Sequence, residues 1–186
     1  MTGPLRQIPN FLTGVRILLA PLCAWLVLHG DYFPALLVFA AAGGSDALDG
    51  WLARRFGLVS RFGEYLDPVA DKLLMLASYV TLTVIGVAPL WLTIIVIARD
   101  VAIVLGVGLA QMLNLPVKME PLAVGKASTV VQVGYVALVL LMLSLHNGQP
   151  VLMLTAAVIT TAFTLMSWFA YGQLLLKAFI LGRRPV

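Results

Sequence analysis

Four aspartates between positions 46 and 71 hold the pattern in this chain best suited to chemistry: Asp46-x2-Asp49-Gly50-x2-Ala53-Arg54-x8-Gly63-x3-Asp67-x3-Asp71. They are half of the eight acidic residues in a 186-residue sequence. On a helix, Asp46 and Asp49 (i, i+3) share a face, as do Asp67 and Asp71 (i, i+4). Two such pairs facing each other could hold one or two hard divalent cations through oxygen ligands. Left bare, four adjacent carboxylates repel one another, so either cations neutralise them or some stay protonated. Divalent metals with a diphosphate ligand meet this need, because the ions bridge carboxylate and phosphate oxygens and polarise phosphorus. A carboxylate held loosely by such ions could take the proton of an attacking hydroxyl. Gly50, Ala53 and Gly63 would let a bulky ligand approach the backbone, and Arg54 offers a planar fork to a phosphate oxygen. Any single aspartate could instead cap a helix, and small residues in membrane helices commonly serve packing. The whole pattern in register points to a site.

The elements that must position it are long apolar helices. Hydrophobic residues make up 61% of the chain and charged residues 11%, against roughly half and one quarter in a soluble domain. The apolar runs suffice for spans of about 20 residues, and the alternation of a β-barrel is absent. The expected fold is all-α and polytopic, with six transmembrane helices at 10–29, 34–54, 64–86, 89–112, 122–145 and 150–177. Turn formers and helix stoppers separate them: His29-Gly30-Asp31, then 86–89, 114–121 and 146–150. The eight-residue gap between Arg54 and Gly63 makes the second and third spans antiparallel neighbours, with all four carboxylates at similar depth.

Eleven of the twelve basic residues fall in the N-terminal segment, the 54–72 region, the 113–126 region and the tail. The opposite connections (29–33, 86–89, 146–149) carry none, so both termini and the acidic cluster belong on the cytoplasmic side. Arg99 is the exception, placed mid-span. The net charge of +4 is therefore topological. No aromatic-interleaved basic stripe suggests nucleic acid as a partner. Cys23 stands alone, which excludes a disulfide or a thiolate zinc set. No small-residue cleavage site follows the first apolar segment, so that span is expected to be retained. The reading is a single domain over 1–186, with a short cytoplasmic segment at 1–9 and a basic cytoplasmic tail at 178–186. His29 and His146 lie opposite the acids and read as interfacial residues.

The acidic pattern resembles, in every position and gap, the signature of the CDP-alcohol phosphotransferase (phosphatidyltransferase) family. The likeness extends over nearly the whole chain. Ile8-Pro9-Asn10-Phe11-Leu12-Thr13-x2-Arg16 and Leu66-Asp67-Pro68-Val69-Ala70-Asp71-Lys72 are similar to segments of members that make phosphatidylglycerophosphate or cardiolipin. The resemblance implies six helices, a site open to the cytoplasmic half of a bacterial-type inner membrane, and two Mg²⁺ ions, with Mn²⁺ an alternative. It implies transfer of a substituted phosphate from CDP-diacylglycerol, whose acyl chains stay in the bilayer, to an alcohol with release of CMP. Carried over by position, Asp46, Asp49, Asp67 and Asp71 would be metal ligands, and Asp71 also the catalytic base. Asp46, Asp49, Gly50, Ala53, Arg54, Gly63 and Asp67 would bind the CDP donor.

On the acceptor side, Arg99 and Lys126 could line a polar cavity for a phosphate, with Arg61 a further candidate. Arg99 could instead make a structural ion pair with an Asp, and Arg61 could be an interfacial charge. Thr13 and Arg16 could also face the site. Ile97-Ala98-Arg99-Asp100-Val101, Leu115-Pro116 and Pro121-Leu122-x3-Lys126-x2-Thr129-x2-Gln132 look most like CMP-forming cardiolipin synthases, whose acceptor is phosphatidylglycerol. Phosphatidylglycerophosphate synthases, with glycerol 3-phosphate as acceptor, share the layout but usually show Glu where this chain has Asp100. A different class, an ion-coupled transporter built on the intramembrane acids, would show broken helices or internal repeats, and neither is visible. Gly106-Val107-Gly108 suggests close helix contact, within one chain or in a homodimer.

Overall fold

Backbone in hydrocarbon must satisfy its own N–H and C=O groups, and the apolar runs do so as helices. The computed structural model describes the backbone over residues 8–56, 61–113 and 122–182, and side chains over 14–45, 72–106, 108–110, 112–113, 122–177 and 180. Among the described residues six helices form: α1 (Ile8–His29), α2 (Tyr32–Phe56), α3 (Arg61–Val84), α4 (Leu90–Met112), α5 (Ala123–Ser144) and α6 (Pro150–Gly182). No strand occurs among the described residues. The helices fall on the six expected stretches: α1, α2 and α6 run longer, α3 starts and ends earlier, and α4 and α5 are slightly shorter. The connection between α2 and α3 shrinks to 57–60, so Arg61, expected in that connection, is the first residue of α3. Arg has good intrinsic helix propensity, so helix can extend into this charged stretch.

Three helices end in the same way. Gly30 N–H donates to Val27 O and Asp31 N–H to Leu26 O, closing α1. Gly86 and Val87 repeat this on Thr83 and Leu82, and His146 and Asn147 on Leu143 and Met142. Each pair of bonds satisfies carbonyls that the helix end leaves orphaned, and it needs a left-handed residue at the turn. Gly30 (φ 83°) and Gly86 (φ 76°) adopt that conformation without a Cβ clash; His146 (φ 52°) adopts it with one. Both histidines are exposed at helix ends, as expected. His29 also stacks beside Trp25, with ring centroids 4.3 Å apart.

The helices gather into two packed groups. In the first, comprising Met1–Val87 and Val136–Gln149, α1 packs against both α2 and α3. Arg16, Ala20, Cys23 and Val27 form its buried stripe at 3- and 4-residue spacing, and Ala35, Phe39 and Ala42 of α2 and Leu74, Ser78 and Leu82 of α3 are buried as well. Alanine and cysteine along the crossing allow close approach, and Cys23 Sγ lies 3.7 Å from Ala35 O.

The second group comprises Ala88–Tyr135 and Pro150–Val186. Arg99 meets Ser167, and Gly106 meets Leu175 further along both helices, so α4 and α6 run parallel. Gly125 meets Tyr171 and Gln132 meets Thr164, seven residues apart on each helix but in opposite senses, so α5 runs antiparallel to α6. Of the small-residue run in α4, Gly106 provides the close contact, within one chain, whereas Gly108 faces open space.

The buried side of this group is mixed: Thr93, Arg99, Ser128, Gln132, Thr160, Thr164 and Ser167 are nearly inaccessible, beside Leu92, Val96 and Tyr135. Val104, Leu105, Val151 and Phe169 are among the large apolar residues that point outward. A water-soluble protein hides its apolar side chains, so this inversion suits a lipid surround. Leu90–Ala110, Ala123–Ser144 and Pro150–Lys177 are long and apolar enough to cross a membrane. Gly14–His29, Tyr32–Ser45 and Lys72–Val84 are shorter apolar stretches among the described residues. The chain is an all-helical integral membrane protein.

Candidate active site

The acidic pattern lies at the end of α2 and the start of α3. The side chains of Asp46, Asp49, Ala53, Arg54, Arg61, Asp67 and Asp71 lie outside the described residues, as does that of Thr13; their positions, and those of Gly50 and Gly63, follow from the backbone. Only residues 57–60 separate the two helices, which pack against each other. Asp46 stands ten residues before Phe56 and Asp71 ten residues after Arg61, each about 15 Å along its helix from that turn. Asp49 and Asp67 stand seven and six residues from the same ends, about 10 Å along. The pattern therefore forms two tiers, Asp46 with Asp71 and Asp49 with Asp67, each drawing one aspartate from each helix. Four all-oxygen donors on adjoining helix ends fit hard divalent cations and suit them better than softer metals. Among the residues whose side chains are described, which do not include these four aspartates, no group of three His, Cys, Asp or Glu comes together.

Arg16 belongs to the same end. It precedes the Gly30 turn by 14 residues, and Asp46 follows Tyr32 by 14, so both lie about 21 Å from that turn at similar height. Its side chain is 1% exposed, the largest fully buried one described. A guanidinium taken out of solvent in an apolar bundle requires anionic or dipolar company.

Arg99 is buried in the second group and held from two helices. Its Nη1 donates to Asp100 Oδ1 at 2.8 Å, an ion pair within α4. Its Nη2 donates to Ser167 Oγ of α6 at 2.7 Å. Its Cζ lies 5.8 Å from the centroid of the Tyr171 ring, within cation–π range. Nε is buried with no hydrogen-bond partner among the described residues. The structural ion pair weighed from sequence is thus present, and it engages one of five N–H donors. Lys126 is placed differently: it sits in the first turn of α5 with an exposed side chain, and no described contact joins it to Arg99.

Ser167 and Tyr171 were not singled out from sequence, nor was the role of Gly125, on which Tyr171 rests. Thr160, Thr164, Ser167 and Tyr171 recur at 4, 3 and 4 residues on α6, the helical repeat of one face, and that spacing was the available signal. Thr164 Oγ1 accepts from Gln132 Nε2 at 3.0 Å, extending the polar face onto α5.

The fold defines a helical membrane protein whose acidic motifs fall on the adjoining ends of two successive helices. Residues 6–171 match the CDP-alcohol phosphatidyltransferase family, and the chain belongs to it. It is 39% identical over 134 residues to a CMP-forming cardiolipin synthase of Streptomyces coelicolor, covering 69% of this chain and 62% of the relative. It is 33% identical over 185 residues to the CMP-forming cardiolipin synthase of Rattus norvegicus, covering 89% and 61%. It is 30% identical over 173 residues to the probable phosphatidylglycerophosphate synthase of Mycobacterium tuberculosis, covering 88% and 80%. The chain spans about three-fifths of the length of the first two.

Proposed function

We propose that the protein transfers the phosphatidyl group of CDP-diacylglycerol to a glycerol-type hydroxyl and releases CMP, with phosphatidylglycerol as acceptor and cardiolipin as product. The observation that carries this reading is the complete Asp46-to-Asp71 pattern, set in two tiers on adjoining helix ends inside the family match. The names of the Streptomyces and rat relatives support the acceptor.

Asp46, Asp49, Asp67 and Asp71 would hold two divalent cations, Mg²⁺ or in its place Mn²⁺. When bound, these supply positive charge to the diphosphate oxygens as negative charge develops on the departing group. Gly50, Ala53 and Gly63 leave room for the cytidine and diphosphate, and Arg54 binds a phosphate oxygen in its fork. Asp71 takes the proton of the acceptor hydroxyl as that oxygen bonds to the phosphorus bearing diacylglycerol. The bond from this phosphorus to the bridging oxygen breaks, and CMP leaves with the electron pair. Arg99, with Lys126 and Arg61, binds the acceptor phosphate. The catalytic domain covers 1–186 as six membrane spans with both termini in the cytoplasm of a bacterial-type cell, a topology supported by eleven of twelve basic residues.

A second acceptor, glycerol 3-phosphate, is favoured by the Mycobacterium relative, of which the chain covers four-fifths. Purified protein given CDP-diacylglycerol and Mg²⁺, with each acceptor offered separately, decides between them by CMP release. Faster release with phosphatidylglycerol supports the first reading and faster release with glycerol 3-phosphate the second. Acceptor-independent silence with both overturns the transferase assignment.

A further inference from the structure

The polar face of α6 converges on one cation. Arg99 is tied at Nη1 to Asp100, at Nη2 to Ser167, and its Cζ lies 5.8 Å from the centroid of the Tyr171 ring. Tyr171 is itself fixed: it rests on Gly125 of α5 so closely that a Cβ there would stand 2.9 Å from its ring. A free arginine side chain samples many rotamers, and ordering it on binding costs affinity. Here a hydroxyl, a carboxylate and an aromatic ring fix the guanidinium plane before any ligand arrives. Nε, buried, is the guanidinium nitrogen with no hydrogen-bond partner among the described residues.

We propose that Ser167 and Tyr171 are positioning residues, which orient Arg99 so that its Nε edge meets the phosphate of the acceptor. The proposal rests on the reading of Arg99 as an acceptor-phosphate ligand. The ligand class is a phosphate mono- or diester of glycerol, and the contribution of α6 is to acceptor affinity rather than to the transfer step. Ser167 and Tyr171 touch neither reacting atom in this scheme; they act through Arg99. A serine hydroxyl accepting from a guanidinium is a charge-assisted bond, and its loss also frees the side chain to rotate.

The test is a kinetic comparison of purified Ser167→Ala, Ser167→Thr, Arg99→Lys and the Ser167→Ala/Arg99→Lys double variant, with donor and acceptor varied in turn. Ser167→Ala is expected to raise the acceptor KM roughly tenfold, with donor KM and kcat unchanged. Ser167→Thr, which keeps the hydroxyl, restores acceptor KM to within about threefold of wild type. In the double variant the serine effect disappears, because the group it orients is gone. Full additivity, or an equal loss for donor and acceptor, overturns the proposal. An Arg99→Lys variant that weakens donor binding alone removes the acceptor reading itself. One that raises acceptor KM while Ser167→Ala does not leaves that reading standing and sinks only the positioning role. Should Ser167→Ala fail to fold, Tyr171→Leu against Tyr171→Phe gives the same readout: the first raises acceptor KM several-fold, the second, which keeps the ring, does not. Equal effects of the two overturn the proposal.

Discussion

Two glycines of one helix should respond in opposite senses to the same added methyl. In Gly125→Ala, the new Cβ would stand 2.9 Å from Tyr171 Cε2 and Oη and 3.3 Å from Cζ. Carbon atoms pack at about 3.5–4.0 Å, so an aromatic ring that cannot bend must move by several tenths of an ångström. Overpacking of this kind costs about 1–3 kcal/mol, and drawing the ring from Arg99 forfeits about 0.5–2 kcal/mol of cation–π attraction. Replacing Gly by Ala in a helix returns about 1 kcal/mol. The expected net loss is about 2 kcal/mol. At Gly134 the added methyl meets nothing within 4 Å, so Gly134→Ala keeps only the helix gain, up to about 1 kcal/mol. Unfolding by increasing sodium dodecyl sulfate in mixed micelles, followed by far-ultraviolet circular dichroism, compares both with wild type. A Gly125→Ala protein as stable as wild type, or equal losses at both positions, would refute the α5–α6 contact.

Asp46→Asn, Asp49→Asn and Asp67→Asn each keep side-chain shape but lose the charge that holds a cation; activity should fall to background and Mn²⁺ binding, read by electron paramagnetic resonance, should weaken, while the fold persists in detergent. Near-wild-type turnover in any of them removes that position from the ligand set. Asp71→Asn should lower kcat by about 10²–10⁴ with donor KM little changed, and a pure loss of donor affinity would make Asp71 a ligand alone. Gly30→Ala should destabilise the protein by about 1 kcal/mol, since the turn holds this residue at φ 83°; an unchanged detergent midpoint would contradict that left-handed turn.

The legible parts of the chain were those fixed by local chemistry. Gly30 and Gly86 announced helix ends because a left-handed residue is needed there, and the apolar runs on either side of the aspartates announced α2 and α3. Helix ends were less legible: α2 and α3 run on to leave only 57–60 between them, since nothing in Arg55 or Phe56 forbids helix. The partners of Arg99 were legible only in kind. Asp100 is its neighbour in sequence, and adjacent residues point to different sides of a helix, so the pairing depends on a long side chain turning back. Ser167 comes from a helix 68 residues away, and only tertiary packing brings it within hydrogen-bond reach. Lys126, grouped with Arg99 from charge and from its place in the family-like segment, is exposed in the first turn of α5.

The most direct test of the account follows the atoms of the donor. Purified protein is given Mg²⁺, phosphatidylglycerol, and CDP-diacylglycerol whose acyl chains differ in mass from those of the acceptor, and the lipids are read by mass spectrometry. The account predicts a four-chain product carrying one pair of chains from each substrate, formed in equal amount with CMP and abolished by chelation or by Asp67→Asn. A four-chain product drawing both pairs from phosphatidylglycerol, or one formed without CMP, would contradict it.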